Sequence, residues 1–575
     1  MKKITLLLFI LSFTFSYSQS IIEGFLFDKE TRTSLPYASI KIISSNNFYT
    51  ITNEDGKFEL NNKFASDSLE IRFIGFKTEK VAVSYFKKNL TFYLTPNTIN
   101  LNEVFINGTI DEKYPYKLMS SLIKKYRNSK SITKSKAYIA TSSSSNNLPV
   151  EHIEGLYNAE HSLFEGLIDL NIKSGRFGQN ILFPFYSLDN TEILKYFSLF
   201  NTESKILPLQ PGNLNLKSIK RKYNLKIEQC KTCDSNDILL SFTPKKNNLN
   251  LFSGTFNFNK DNLVLKKIEL NINDPLIPAM SSIDKNDTIE LKKIELKILF
   301  NPINFNVIQY IDYNLIVNYK SATSNKEIAS SSFVYFYDYN KTFENPFFVK
   351  KIYFNNDYDK ILALKTSNVF WENNYQFPRS VSDEKSLKYI KNYGFLINYE
   401  NSIPLEYINL VKSAVIPWDR KNRLSWNVIK ETLNHVFYKN EKDNFLIEKY
   451  NFNYLVDQQI DKNGMKHYVS RTIFDRNFSF CKKEIRDINK LIYINLIFDI
   501  YEFHRQKLNP EIFKTMNFEE VKNLFKEVYK QASIEASILT KETKSGKDLI
   551  NLLLWNKKIK HKLKVDNFNL ISTIE

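Results

Sequence analysis

Short segments in which apolar and polar residues alternate occupy most of the first hundred positions. Residues 22–27, 38–43 and 68–73 alternate with a period of two, the period of a strand with one buried face. Residues 53–56 interrupt this pattern and are typical of a tight turn, in which Gly56 supplies a positive φ. Strands this short and this closely spaced predict a small β-sandwich over residues 19–96.

The alternation continues through a longer middle region. Residues 263–272, 289–299 and 310–319 have the same period, and several of these segments end in Asn, Asp or Gly. The pattern predicts a central antiparallel β-rich domain over residues 137–345. Two interpretations stay open for it: a curved sheet that carries an apolar ligand, or a twisted sheet whose inner face is filled by side chains.

Helical periodicity appears in two places. Residues 114–127 place Leu118, Leu122 and Tyr126 on one face, which predicts an amphipathic helix within a connecting stretch over residues 97–136. Near the other end, Asn517 and Glu520 have the spacing of a capping box, and a last helix is predicted over residues 547–558. The region 346–575 is therefore predicted to be α+β, and the whole chain to be mainly β and multidomain.

The first eighteen residues have the pattern of a secretory signal peptide. Lys2 and Lys3 precede an apolar run over residues 4–15, and Ser16 and Ser18 are small residues three and one before a cut ahead of Gln19. The run is shorter than the roughly 20 residues that cross a bilayer. We therefore expect an exported mature protein without a transmembrane helix.

Several spaced motifs in the predicted sandwich carry a family resemblance. Gly24 and Asp28, then residues 35–38, 52–58 and 74–76, resemble the carboxypeptidase regulatory-like domain. The resemblance implies a seven-stranded transthyretin-like sandwich of the kind found in exported Bacteroidetes proteins, and it implies no catalytic residues.

The sequence after this module resembles other envelope proteins. Residues 101–106 are similar to the segment that often follows the module, and residues 137–164 resemble uncharacterised Bacteroidetes envelope proteins. The resemblance implies a periplasmic, outer-membrane or cell-surface location and leaves the activity unassigned.

Composition adds a basic character to this picture. The formal charge is +18, and removal of Lys2 and Lys3 leaves 78 basic against 62 acidic residues. A basic exported protein can meet acidic glycans or lipid headgroups, so a polysaccharide or envelope-protein partner and a peripheral membrane contact are considered. No nucleic-acid-binding motif accompanies the charge, and nucleic acid is not predicted as a partner.

The link to carboxypeptidases suggests a search for zinc ligands. Neither a His-x-x-Glu pattern nor an HExxH motif occurs in the sequence, and no cofactor is predicted. His152 and Glu154 are the metal-ligand candidates, because residues two apart on a strand share a face. The alternative is that both are polar residues on the wet face of that strand.

Asp499 and Glu502 are catalytic candidates, together with His504, because they lie in or next to an apolar run. A carboxylate in apolar surroundings can acquire a raised pKa suited to general acid catalysis. The alternative is an ion pair with a nearby arginine.

Two further groups could have a role. Trp371, Tyr375, Trp418 and Trp426 could form a stacking platform for sugar rings, or they could be core residues. Cys230 and Cys233 are separated by two residues in a predicted hairpin tip, where a structural disulfide, a free pair, redox chemistry and a metal site are all conceivable.

These observations favour a non-enzymatic, exported envelope protein that acts by binding or scaffolding. The alternatives are a hydrolase that depends on carboxylates and a carrier of an apolar ligand in the central sheet.

Overall fold

The structure is a computed structural model. It describes residues 20–571 except for 44–48, 63–65, 85–89, 98–111, 181–186, 203–205, 230–232, 234–235, 247–249, 278–285, 303, 305, 365–369, 372–373, 375–376, 400–406, 409–412, 433–445, 461–464, 509–512 and 514–515. The predicted signal peptide and residues 101–106 therefore lie outside the described residues.

The N-terminal domain is a two-sheet sandwich, in agreement with the sequence prediction. One sheet has the strand order β4-β1-β7 and the other β3-β2-β5-β6, with β1 parallel to β7. Alternate residues of both sheets, such as Leu26, Ile40 and Phe58, form one core without exposed area. The strands are β1 Ser20–Asp28, β2 Ser39–Ile42, β3 Tyr49–Ile51, β4 Lys57–Asn62, β5 Ser66–Arg72, β6 Glu79–Ser84 and β7 Leu90–Leu94.

The middle of the chain forms an 11-stranded sheet with the order β11-β12-β13-β14-β15-β16-β17-β8-β9-β10-β19. After β8, β9 and β10 the chain crosses to the far edge and returns strand by strand, so that β17 pairs with β8. The strands are β8 Thr133–Ser145, β9 Leu148–Ser162, β10 Gly166–Asn180, β11 Tyr223–Glu228, β12 Asp237–Pro244, β13 Ser253–Asn259, β14 Leu265–Asn273, β15 Thr288–Phe300, β16 Ile308–Lys320, β17 Asn325–Tyr337 and β19 Gly394–Ile397.

The two faces of this sheet have different neighbours. On the face that we call the helix face, Ile139, Ile311 and Val334 join a large core that includes Tyr126 of the predicted amphipathic helix, α1 Tyr114–Arg127. On the opposite face, here the domain face, Tyr138, Leu156, Tyr310, Phe333 and Tyr335 form a second cluster with Ile51 and Tyr37 of the N-terminal domain. Side chains thus fill the helix face, and the domain face receives the N-terminal sandwich.

The C-terminal part mixes strands and helices, as predicted, so the whole architecture is mainly β with several modules. A four-stranded sheet with the order β18-β22-β23-β20 packs against a long buried helix, α6, through pairs such as Phe452 and Phe498, whose ring centres are 5.4 Å apart. The remaining strands are β18 Phe347–Phe348, β20 Val415–Pro417, β21 Glu448–Lys449, β22 Phe452–Ile460, β23 Lys466–Asp475 and β24 Phe480–Cys481.

Over the described residues the remaining α-helices are α2 Ser187–Glu192, α3 Leu216–Lys222, α4 Asp357–Ala363, α5 Val381–Tyr393, α6 Ile488–Gln506, α7 Phe518–Glu542, α8 Leu549–Leu563 and α9 Asn567–Ile571. The capping box predicted at Asn517 and Glu520 begins α7. None of the described helices combines the length and the apolar character that crossing a bilayer requires.

Candidate binding cleft between the N-terminal domain and the central sheet

A cleft of about 410 Å³ lies where the N-terminal domain meets the domain face of the central sheet. Its walls come from the turn after β3, from the strands β8, β16 and β17, and from the segment that leads into α5. The lining includes Tyr37, Asn53, Glu54, Tyr138, Ser142, Ser144, Asn314, Ser331, Phe333, Phe377, Arg379, Ser380, Ser382, Asp383 and Ser386.

The predicted turn at residues 53–56 fixes one wall to another. The Asn53 side-chain oxygen accepts hydrogen bonds from the amides of Asp55 and Lys57, at 3.0 and 2.8 Å, which closes the turn. Its amide nitrogen donates to the carbonyls of Pro378 and Arg379, at 3.2 and 3.1 Å. One side chain therefore shapes the turn and holds the segment before α5 against the N-terminal domain.

Aromatic stacking packs the N-terminal domain against the central sheet. The rings of Tyr37 and Phe333 are stacked, with centroids 4.4 Å apart, and Tyr310 lies 5.3 Å from Tyr37. Beside them the Gln309 amide donates to the Ser39 hydroxyl at 2.6 Å. The rings that line the floor of the cleft thus also carry the contact between the domains.

Serine hydroxyls cover the sheet wall of the cleft. Ser142 of β8 is paired in register with Ser331 of β17, and Ser144 lies on the same face as Ser142. The intervening Ser143 turns the other way and pairs with the Ser330 hydroxyl. The hydroxyls of Ser142, Ser144 and Ser331 therefore line the cleft, whereas those of Ser143 and Ser330 are buried on the other side of the sheet.

Carboxylates complete the polar lining. Asp383 belongs to the capping box that starts α5, and it accepts hydrogen bonds from Ser380 at 2.8 Å and from Ser142 at 2.9 Å. Desolvation and the negative charges of Asp383 and Asp312 raise the pKa of Glu54. The cleft is thus locally acidic within a basic protein.

Ser142, His152 and Asp383 are in contact but do not form a catalytic triad. The Ser142 hydroxyl lies 2.8 Å from His152 Nδ1 and donates to Asp383, whose Oδ1 lies 3.4 Å from the same ring nitrogen, so the hydroxyl and the acid both meet Nδ1. The other ring nitrogen, Nε2, is buried and has no hydrogen-bond partner among the described residues. In a triad the acid orients the imidazole through its second nitrogen, and nothing does so here.

Glu154 anchors the segment that forms the cleft wall. Its carboxylate is fully buried and accepts hydrogen bonds from Arg176 at 2.7 Å, Arg379 at 2.7 Å, Tyr399 at 3.1 Å and Tyr138 at 3.0 Å. Burial by itself raises the pKa of Glu154, but the charges of Arg176 and Arg379 outweigh it and lower the pKa far below its usual value.

His152 and Glu154 lie on the same face of β9. The Glu154 oxygens, however, already accept hydrogen bonds from arginine and tyrosine side chains. Burial lowers the pKa of His152, although Glu154 and Asp383 oppose this shift. Among the described residues no group of three or more His, Cys, Asp or Glu side chains is placed to hold a metal ion.

Asp499 and Glu502 lie in α6, away from the cleft lining, and each has its own partners. Asp499 is fully buried and accepts hydrogen bonds from Arg423 at 2.7 Å, Asn567 at 2.7 Å and Trp418 at 2.8 Å. These contacts tie α6 to the loop before β21 and to α9.

Glu502 and His504 are held in the same way. Glu502 accepts two hydrogen bonds from Arg505, at 2.8 and 2.6 Å, and one from Thr472 at 2.6 Å. His504 contacts Glu535 of α7 at 2.6 Å. These contacts hold α6 against β23 and α7.

The four aromatic candidates do not share one surface. Trp371 is buried beside Arg176, Trp418 contacts Asp499, and Trp426 lies next to Arg486 in the C-terminal part. Tyr375 lies outside the described residues. The rings that do line the cleft are those of Tyr37, Tyr138, Phe333 and Phe377.

The two described cysteines, Cys233 and Cys481, lie apart from the cleft. Cys233 is disulfide-bonded and lies between the paired strands β11 and β12, whereas Cys481 is a free, buried thiol. Cys230 lies outside the described residues.

Sequence reasoning missed the residues that form the cleft. The usable signal was composition: the serine runs Ser142–Ser145 and Ser330–Ser332, the first of which the sequence suggested as a polar turn, lie in the observed strands β8 and β17, where β-branched and aromatic residues are the usual choice. Runs of small hydroxyl side chains on paired strands leave space above the sheet.

Comparison with protein-family models gives a match for the N-terminal domain. Residues 22–106 match the CarboxypepD_reg-like domain. The comparison with curated proteins found no match. Among solved structures, a Bacteroides fragilis NCTC 9343 protein of unknown function, described as a candidate membrane-associated protein, is similar at 9% identity over 56% of this chain and 99% of that chain, with a TM-score of 0.11. A similarity at this TM-score carries no conclusion about fold or function.

Proposed function

We propose that this chain is an exported envelope protein of a Bacteroidetes bacterium that binds a polyhydroxylated ligand of the glycan class in the cleft, without chemical conversion. The observation that carries the proposal is the convergence of hydroxyls, carboxylates and aromatic rings in one cleft between two modules. Export is supported by the pattern of residues 1–18, and the origin by the sequence resemblance. The same proposal includes the division of the chain after residues 18, 96, 136 and 345. These positions end the signal peptide, the N-terminal sandwich, the connecting stretch and the central β-rich domain.

The lining suits a sugar because a sugar has two kinds of surface. Its hydroxyls both donate and accept hydrogen bonds, and the serine hydroxyls and carboxylates of the cleft provide matching partners. Its C–H faces are apolar and would pack against the half-buried ring of Tyr37, the most accessible of the aromatic side chains that line the cleft. A cleft of about 410 Å³ lies within the usual range for small-ligand sites.

The contacts of the other candidates favour this proposal over the two alternatives. Asp499 and Glu502 are saturated by hydrogen bonds from Arg423 and Arg505 and their neighbours, so neither carboxylate faces the described cleft. The helix face of the central sheet is filled by core side chains, among them Ile311 and Val334, rather than open to an apolar ligand.

The test is a glycan array with the mature protein, followed by calorimetric titration of the glycans that bind. Ser331→Phe places a ring in the cleft, and we expect at least about tenfold weaker binding because the ring fills space that the ligand needs. Glu327→Phe is the matched control, since Glu327 is exposed on the same face of β17 but outside the lining. Equal affinities for the two variants, or an array without any bound glycan, would contradict the proposal.

A further inference from the structure

The helices α7 and α8 expose an unusual number of apolar side chains on one surface. Ile550 is 73% exposed, Leu554 59% and Ile534 56%, and Ile538, Leu549 and Leu553 are exposed as well. Ile534, Ile538 and Leu554 line a groove of about 660 Å³ between the two helices. The buried residues of these helices, such as Phe525 and Ile559, are separate from this face.

Basic side chains bracket the apolar ones at helical spacing. In α7, Lys530 and Lys541 lie four residues before Ile534 and three after Ile538, so all four share one face. In α8, Lys557 follows Leu554 and Ile550 on one face in the same way. The surface thus has an apolar centre with lysines at both ends.

The acidic residues of this region offset only some of the lysines at the surface: Glu535 pairs with Lys558 and Lys562, and Asp566 pairs with Lys560. Residues 530–564 contain nine lysines and three acidic residues. Glu535 is already paired with His504 and Lys558, Glu542 accepts a hydrogen bond from Trp555 at 2.8 Å, and Asp548 caps α8. The region therefore carries an excess of positive charge beside exposed Ile and Leu.

We infer that this α7–α8 face docks on the surface of an anionic lipid bilayer. The apolar side chains would enter the boundary between headgroups and acyl chains, and the lysines would stay at the level of the headgroup phosphates. Charge complementarity favours a lipid surface as the partner. The anionic headgroups would pair with the lysines, and the apolar layer below them would accommodate the isoleucines and leucines. The inference is independent of ligand binding in the cleft.

The experiment is co-sedimentation of the full mature chain with vesicles of phosphatidylcholine that contain phosphatidylglycerol, compared with vesicles of phosphatidylcholine alone. The first variant, Ile550→Ser with Leu554→Ser, removes exposed apolar side chains; its control is Ile132→Ser with Ile460→Ser, also exposed residues. The second variant, Lys541→Gln with Lys557→Gln, removes charge; its control is Lys217→Gln with Lys220→Gln in α3.

We expect binding to the anionic vesicles only. The serine pair should bind at least about tenfold more weakly. The glutamine pair should bind about 25-fold more weakly, because each of the two lysines near an anionic surface contributes about fivefold. Both controls should bind like the parent protein, and circular dichroism checks that each variant is folded. Equal binding to neutral vesicles, or anionic binding that neither variant weakens, would overturn the inference. Absence of vesicle binding together with a dimer that the serine pair dissociates would overturn it too, and would assign the face to a second copy of the chain.

Discussion

Glu154 shows how one buried residue can position a site that it does not line. Its carboxylate holds Arg379, and the backbone carbonyl of Arg379 accepts a hydrogen bond from Asn53 of the N-terminal domain. A change at Glu154 therefore reaches the cleft through the segment before α5. A buried charge pair of this kind stabilises little relative to an apolar core, but removal of one partner leaves the other uncompensated.

Replacement of Glu154 by glutamine should lower the free energy of unfolding by about 3–5 kcal/mol, because Arg176 and Arg379 then lose their carboxylate in a buried site. Urea denaturation measures the loss. Glu384→Gln is the matched control, since the exposed Glu384 also contacts Arg379, at 3.4 Å, and its loss should change stability by less than about 0.5 kcal/mol. Similar losses of stability for both variants would show that the buried Glu154 contributes no more to stability than the exposed Glu384.

His161 should make stability depend on pH. It is fully buried against Phe336, and within the part of the chain that the structure describes neither ring nitrogen has a hydrogen-bond partner. Burial lowers its pKa to about 3. The unfolded chain binds a proton at this histidine near its ordinary pKa of about 6.5, whereas the folded protein does not. The contribution of His161 to the free energy of unfolding is therefore fully present above a pH of about 6.5. It decreases as the pH falls from about 6.5 towards 3.

His161→Phe should remove this part of the pH dependence, a slope of up to about 1.4 kcal/mol per pH unit. Thermal denaturation of parent and variant between pH 4 and 7.5 measures it. The exposed His561 in α8 provides the control as His561→Gln. An unchanged slope in His161→Phe would mean that other groups account for the acid sensitivity.

At the scale of elements, helix ends in this protein are set by side chains close in sequence. Ser380 and Asp383 begin α5 with a capping box, and the same two residues line the cleft. Asn517 and Glu520 begin α7 in the same way. Local hydrogen bonding thus fixes where α5 presents Asp383 to the cleft and where the face of α7 starts.

Asn517→Ala should destabilise α7 by about 1 kcal/mol, because the amide of Glu520 loses the acceptor that caps the helix. Chemical denaturation followed by circular dichroism measures the effect. Asn523→Ala, at an exposed position inside the same helix, is the control, and it should be neutral or slightly stabilising since alanine favours the helix interior. A loss of the same size at both positions would contradict the assignment of a cap.

At the scale of the whole molecule, the CarboxypepD_reg-like domain acts as one wall of the cleft rather than as an isolated module. It contacts the central sheet through the stacked pair Tyr37 and Phe333 and through Ser39, which accepts a hydrogen bond from Gln309. The hydrogen bonds of Asn53 and Asp55 join it to the segment that leads into α5. Further on, a buried ion pair between Lys173 of β10 and Asp457 of β22 joins the central sheet to the C-terminal part. The cleft therefore depends on how separate modules dock.

Tyr37→Ala should loosen this docking, because the stacked ring contact with Phe333 is lost. We expect about tenfold faster hydrogen exchange at the Val381 amide, which donates to Asp55 across the interface, and weaker glycan binding. The control is Tyr93→Ala, which removes a half-exposed tyrosine from β7 of the same domain. Exchange at Val381 that both variants leave unchanged would show that the hydrogen bonds alone hold the domain.

The sequence by itself determined the features that depend on near neighbours. The alternation of β1, β2 and β5, the turn at Asn53, the helix at Tyr114–Arg127 and the cap at Asn517 follow from residues within a few positions of one another. Periodicity and capping act locally, so one sequence suffices to predict them.

Only the tertiary structure decided the partners of the polar residues and the place of the cleft. Glu154 meets Arg379 across 225 positions, and Asn53 meets Pro378 across 325. Sequence periodicity indicated which face of a strand is polar, but not what docks on that face. The packing of modules decides which carboxylate is paired with an arginine and which one faces a cleft. The reason is that the burial of a group and its electrostatic interactions depend on distance in space and not on distance along the chain.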